Sequence, residues 1–128
     1  MKMLVADDDA ISRFLLQELL APYGEVHSCV DGAEAVQAFR RSLDQGSRYE
    51  LICLDIMMPN MNGVETLQQI READQRSGAR NPVKVVMTTA LNDSKNIVQA
   101  FKEQCDGYLV KPIQKARLIE SLRSQGLI

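Results

Sequence analysis

Short apolar runs alternate with longer stretches of helical period from one end of this sequence to the other, and few folds accommodate that rhythm. The runs are Lys2 to Ala6, Glu25 to Cys29, Leu51 to Leu54, Val83 to Met87 and Gly107 to Val110. Several are apolar throughout, as strands buried on both faces tend to be. Between them Val36, Phe39 and Leu43 recur at three and four residues, as do Val64, Leu67 and Ile70, then Ile97, Phe101 and Cys105, then Leu118 and Leu122. Each set marks one apolar helix stripe. Pro22 and Gly24 close a first helix over Ala10 to Ala21, Gly46 and Ser47 follow the second, Ser77 to Pro82 forms the longest loop, and Asn92 or Asp93 can cap the next helix. The expected architecture is (βα)5, an α/β fold with an open parallel sheet, right-handed crossovers and helices on both faces.

No repeat, linker or low-complexity stretch divides the 128 residues, so residues 1–128 read as one domain. A chain of this size buries roughly two thirds of its unfolded surface and needs neither disulfides nor a structural metal. Seventeen acids against fifteen Lys plus Arg leave a formal charge of -2. No general basic field exists to attract nucleic acid. Cys29, Cys53 and Cys105 are odd in number and widely spaced, and His27 is the only histidine, so neither a disulfide framework nor a zinc site can be assembled from them. The thiols read as small core hydrophobes in a reducing, cytoplasmic setting. The apolar stretch before Asp7, Asp8 and Asp9 is too short for a signal segment or a membrane span.

In an open α/β sheet, ligands bind beyond the carboxyl ends of the strands. Here the first strand runs into Asp7, Asp8 and Asp9, the third into Asp55, the fourth into Thr88 and Thr89, and the fifth into Lys111 and Pro112. Carboxylates crowded at such a mouth repel one another unless a cation or proton offsets them. Mg²⁺ suits the task, since it accepts one or two carboxylates, keeps several waters and takes phosphate oxygens. Asp8 and Asp55 would bind it directly and Asp7 through water, with Lys111 offering a point charge to an anion and Thr89 a hydroxyl donor. Met57, Met58 and Met61 after Asp55 read partly as adaptable filler.

The segments Leu4-Val5-Ala6-Asp7-Asp8-Asp9, Leu51 to Gly63, Val86-Met87-Thr88-Thr89-Ala90 and Asp106-Gly107-Tyr108-Leu109-Val110-Lys111-Pro112 together resemble a receiver domain of two-component response regulators, over essentially the full length. The resemblance implies a flavodoxin-like sheet of order 2-1-3-4-5. It implies Asp55 as the phosphorylated aspartate, Asp7 and Asp8 as the acidic pair, and the main-chain carbonyl of Met57 as the remaining protein ligand to Mg²⁺. Thr89, followed by the small Ala90, matches the switch hydroxyl, with Thr88 as the alternative. Tyr108 matches the rotameric aromatic, Lys111 the lysine, and the Lys111 to Pro112 bond is expected cis, which proline makes tolerable.

The implied function is a phospho-accepting signalling domain that is not a conventional enzyme. It takes a phosphoryl group from a sensor histidine kinase or a histidine phosphotransfer protein and changes its surface toward a downstream protein partner. A phosphatase of the haloacid dehalogenase type would need a carboxylate two residues after Asp55, where Met57 stands; a flavin-binding or purely structural flavodoxin-like module would leave the acidic pair and Lys111 incidental. The first helix carries eight apolar residues in twelve (Ala10, Ile11, Phe14, Leu15, Leu16, Leu19, Leu20 and Ala21), more than one buried stripe uses. The excess, with Leu15 among it, is expected to dock on a histidine-bearing helical bundle. Output is expected from the face formed by the helix after Asn92, the fifth strand and the last helix, with Asn96, Gln99, Lys102 and Glu103 as contacts and a phosphorylation-dependent dimer as one use. The resemblance implies that Met57 and Leu91 flank the line of water attack, where, both apolar, they are expected to slow self-dephosphorylation.

Overall fold

The computed structural model describes residues 1–90 and 105–128. Five parallel strands, β1 (Lys2–Ala6), β2 (Glu25–Cys29), β3 (Leu51–Asp55), β4 (Lys84–Thr89) and β5 (Gly107–Val110), form one sheet of order β2-β1-β3-β4-β5. This is the flavodoxin-like order. Helices α1 (Ala10–Leu20), α2 (Gly32–Asp44) and α3 (Gly63–Ser77) and a C-terminal helix (Lys115–Ser124) cover it.

Because side chains alternate across a strand, each strand feeds two cores. Leu4, Ala6, Ile52, Leu54, Val85 and Met87 pack with Val36 and Phe39 of α2 and with Leu67 and Ile70 of α3. On the opposite face, Met3, Val5, Leu51, Cys53 and Val86 pack with Leu16 and Leu20 of α1 and with Leu118 and Leu122 of the C-terminal helix. Fully burying one such side chain is worth about 1.5–3 kcal/mol. β3 is buried at all five positions, while the outer strands β2 and β5 keep exposed positions. The expected burial on both faces therefore belongs to the inner strands.

Register carries the strand ends to a single edge. Ala6 lies opposite Cys29 and Leu54, Asp55 opposite Thr88, and Thr89 opposite Val110.

Element bounds differ from the sequence reading where side chains intercept backbone groups. β4 starts at Lys84 rather than Val83, because the Val83 N–H donates to the Asp74 Oδ2 carboxylate oxygen at 2.8 Å instead of entering the ladder. At its other end β4 continues through Thr89, and β3 includes Asp55. α1 ends at Leu20, and Ala21–Tyr23 form a single 3-10 turn around Pro22, whose missing N–H cannot continue the helix. α3 extends through Ser77 into the expected loop and stops at Gly78, whose φ of 73° is left-handed. Cys29 and Cys53 are buried and Cys105 half-buried; burial pushes the first two thiols up to about 12. Asn92, Asp93, Ile97 and Phe101 lie outside the described residues, as do Asn96, Gln99, Lys102, Glu103 and Leu91.

Candidate functional site

The three consecutive aspartates after β1 divide their work. Asp9 caps α1, its Oδ2 accepting from the Ser12 N–H at 3.2 Å and the Ser12 hydroxyl at 2.7 Å. Asp7 is completely buried; its Oδ1 accepts the Asp9 N–H at 2.8 Å, and its own N–H donates to the Cys29 carbonyl at 3.2 Å. Asp8 is exposed.

Asp55 closes β3 and is also buried, with its Oδ1 accepting the Met57 N–H at 3.4 Å. Lys111, immediately after β5, is held by its backbone N–H donating to the Thr89 carbonyl at 2.7 Å. From there its ammonium reaches both buried acids, 3.0 Å from Asp7 Oδ2 and 3.1 Å from Asp55 Oδ2. The Lys111–Pro112 bond is cis, as expected. Carboxylate oxygens of Asp7, Asp8 and Asp55 lie within 4.8 Å of one another.

Electrostatics follow from this crowding. Burial, then the neighbouring Asp7 charge, push the Asp55 carboxyl up to about 6, and Lys111 offsets only part of that. Burial opposes the Lys111 charge as well, but the close Asp7 and Asp55 carboxylates outweigh it and hold the ammonium above its ordinary range.

The donor set fits a hard divalent cation. All three groups are carboxylates, two of them buried, and among the described residues Asp7 Oδ2 accepts no aligned hydrogen bond despite the nearby Lys111 charge. Oxygen-only donors with surplus negative charge are what Mg²⁺ binds. The cluster therefore has the ligand chemistry for Mg²⁺, drawn from Asp7, Asp8 and Asp55.

The remaining expected residues surround this cluster at varying distance. Thr89 is buried at the end of β4, its hydroxyl donating to the Ala90 carbonyl at 3.1 Å. Thr88 lies one residue deeper, directly opposite Asp55 in the sheet, with its hydroxyl 3.5 Å from the Leu54 carbonyl. The Met57 side chain is 56% exposed at the mouth, whereas Met58 and Met61 pack partly against the core. Tyr108 is on β5 and 41% exposed, outside the carboxylate cluster. On α1, Ile11 is 81% exposed, Phe14 64% and Leu15 37%, so the surplus apolar surface is real and centred on Ile11 and Phe14 rather than on Leu15.

Several supporting contacts were not legible in advance. The Arg13 guanidinium donates to the Asp7 carbonyl at 2.8 Å, which fixes the turn between β1 and α1. Nothing in the spacing of Arg13 distinguishes it from an ordinary helix-face charge. Asn60, at a left-handed φ of 67°, donates its amide to Asp31 Oδ2 at 3.0 Å and ties the loop after β3 to the cap of α2. Gly63 lies so close behind Asp55 that a Cβ there would run into the Asp55 carbonyl and Ile56 Cα. Its position in the Leu51 to Gly63 segment was a usable signal.

Comparison with known proteins agrees with this geometry. A family profile described as response regulator receiver domain matches residues 3–123. The regulatory protein VanRB of Enterococcus faecalis is 35% identical over 122 residues, covering 95% of this chain and 50% of that protein. The chemotaxis protein CheY of Thermotoga maritima is 26% identical over 123 residues, covering 94% of this chain and 93% of that one. This chain thus spans half of one relative and nearly all of the other. The receiver domain of the histidine kinase CKI1 from Arabidopsis thaliana, solved with Mg²⁺ and BeF3-, superposes with a TM-score of 0.79 at 26% identity, over 96% of this chain and 89% of that one.

Proposed function

Because the chain belongs to the response regulator receiver domain family of two-component signalling, we propose that Asp55 accepts a phosphoryl group from a phosphohistidine donor. The observation that carries this reading is the pair of buried carboxylates at neighbouring strand ends sharing one ammonium, at 3.0 and 3.1 Å. A donor N–P bond breaks as an Asp55 oxygen forms the new O–P bond. The product is an acyl phosphate.

Asp7, Asp8, Asp55 and the main-chain carbonyl of Met57 would hold Mg²⁺. When bound, the metal neutralises the repulsion between carboxylate and incoming phosphoryl oxygens. Lys111 supplies a positive charge already aimed at Asp55, and the backbone N–H groups of Met57 and Ala90 offer donors to the phosphoryl oxygens. Positioning and charge account for the catalysis. Once phosphorylated, Asp55 presents acceptors to Thr89 and Lys111; Thr89 moves toward the phosphoryl group and Tyr108 turns inward from its exposed position.

Residues 1–128 act as one receiver unit in the cytoplasm. Among the described residues no helix is long and apolar enough to cross a membrane. The donor, a histidine kinase or histidine phosphotransfer protein, docks its helices on the Ile11, Phe14 and Leu15 face of α1, beside the acceptor. Leu15→Asp and Phe14→Asp should then keep labelling by a small phosphodonor while losing transfer from the protein donor. The downstream partner reads the Tyr108 face, and dimerisation upon phosphorylation would be seen as doubled mass in light scattering with BeF3- and Mg²⁺.

The central test is labelling with acetyl phosphate in Mg²⁺. The wild-type protein should gain one phosphoryl group, and Asp55→Asn should gain none. Labelling of Asp55→Asn at the wild-type level would overturn the assignment.

A further inference from the structure

All six methionines of the chain fall among the described residues, and they differ sharply in access. Met3 and Met87 are fully buried, Met1, Met58 and Met61 are partly covered, and Met57 alone is exposed. Met57 is also tied to the acceptor, since its N–H donates to Asp55 Oδ1. The most exposed methionine thus stands two residues from the carboxylate that the preceding section reads as the phosphoryl acceptor.

We propose that Met57 is a peroxide-sensitive modification site whose oxidation to the sulfoxide shortens the lifetime of an acyl phosphate on Asp55. The lifetime claim rests on the reading of Asp55 as acceptor. In the oxidation, a sulfur lone pair attacks one peroxide oxygen, the O–O bond breaks, and an S–O bond forms. The sulfur loses two electrons, and the departing hydroxide takes up a proton to leave as water. The oxidant is a peroxide, and nothing else is consumed.

Selectivity follows from exposure. The buried methionines are shielded, and the competing thiols are poor targets because thiolate is the reactive form and burial suppresses it. Cys29 and Cys53 are buried and Cys105 is half-buried. The effect on chemistry follows from polarity. Hydrolysis of an acyl phosphate needs a water in line with the phosphorus, on the side away from the Asp55 oxygen, and the exposed Met57, whose N–H donates to Asp55 Oδ1, is within reach of that approach. A thioether is a weak acceptor and cannot hold that water, whereas a sulfoxide oxygen is a strong one. Oxidation exchanges a shield for a water-orienting group without altering the acceptor or Lys111.

Dilute hydrogen peroxide, followed by thiol reductant and fragment mass spectrometry, reads the site directly. Met57 should gain one oxygen at least about fivefold faster than Met58 or Met61. Protein oxidised in this way and labelled with acetyl phosphate should lose its phosphoryl group at least about threefold faster than untreated protein. Methionine sulfoxide reductase should restore the slow decay, and Met57→Leu, whatever its own starting lifetime, should not respond to peroxide. Oxidation spread evenly over Met57, Met58 and Met61 would overturn the site. Selective oxidation with unchanged decay, or an equal response in Met57→Leu, would overturn the regulation. If untreated protein takes no label, the acceptor reading itself fails and the lifetime claim with it, an outcome told apart from the others because the mass spectrum needs no phosphoryl group.

Discussion

Both edges of the sheet bury carboxylates against cations, with opposite results. At the amino edge Asp74 accepts Arg48 in a two-pronged contact, Nε at 2.9 Å and a terminal nitrogen at 3.0 Å, and also takes the Val83 N–H at 2.8 Å. Nearby, Asp106 Oδ2 accepts from Arg71 at 2.8 Å and from the Val85 N–H at 2.7 Å, with Lys84 4.0 Å away from its other oxygen. Among the described residues two acids there meet three cations. At the carboxyl edge Asp7 and Asp55 share the Lys111 ammonium, with the exposed Asp8 carboxylate within 4.8 Å of both acids. Donor supply separates the two: a carboxylate with filled lone pairs is a brace, while one short of donors has lone pairs left for a cation.

The contrast is broken most severely at the brace. Asp74→Ala strands the Val83 N–H and leaves the Arg48 guanidinium with the Asn81 carbonyl and no counter-charge, and should cost about 3 kcal/mol in urea unfolding. The folded fraction should still take label from acetyl phosphate in Mg²⁺. Gly63→Ala, which forces a Cβ against the Asp55 carbonyl and Ile56 Cα, should cost about 1–3 kcal/mol and also slow labelling, because the displaced backbone carries the proposed acceptor.

Asp55→Asn should do the reverse and stabilise the metal-free protein. The Asp55 carboxyl titrates near 6 in the folded chain against an ordinary 3.8, so the folded state holds a proton that the unfolded state has released between those values. Stability must then fall as pH rises through that window. The gain from Asp55→Asn should be on the order of 1–2 kcal/mol at pH 7.5 in EDTA and vanish near pH 3.5, as read by urea unfolding at each pH. A gain that grows toward acid would mean that Asp55 is not the strained carboxylate. The smallest expected effect is that of Mg²⁺ itself: at ten times its dissociation constant it should add about 1.4 kcal/mol to the wild type, and much less to Asp8→Asn.

The same contrast explains what could be read in the sequence. The carboxyl-edge acids interrupt apolar strands at Ala6 to Asp7 and Leu54 to Asp55, and Lys111 follows Val110 just as abruptly, so strand periodicity alone places them at one mouth. The amino-edge brace has no such signature. Arg48 and Asp74 are 26 residues apart, and Arg71 and Asp106 are 35 apart, each an unremarkable charge in its own segment. Only the packing of α3 against the sheet edge brings them together. The misjudged start of β4 is a by-product of that hidden brace, since Asp74 takes the N–H that Val83 would have given to the ladder. Tyr108 was legible as a position on β5, but its outward exposure depends on which neighbours cover it, and no local pattern encodes that.

Complete burial of β3, paired on one side with β1 and on the other with β4, has a consequence for deuterium exchange. Its central amides should open to solvent only when the whole domain unfolds, whereas those of the outer strand β2 open through local fraying. Asp55 is thus mounted on the part of the chain least able to loosen by itself. A phosphoryl group there would leave by the chemistry at the mouth and not by slippage of its support, so a mutation in the surrounding loops could reset the duration of the signal while the exchange of β3 stayed the same.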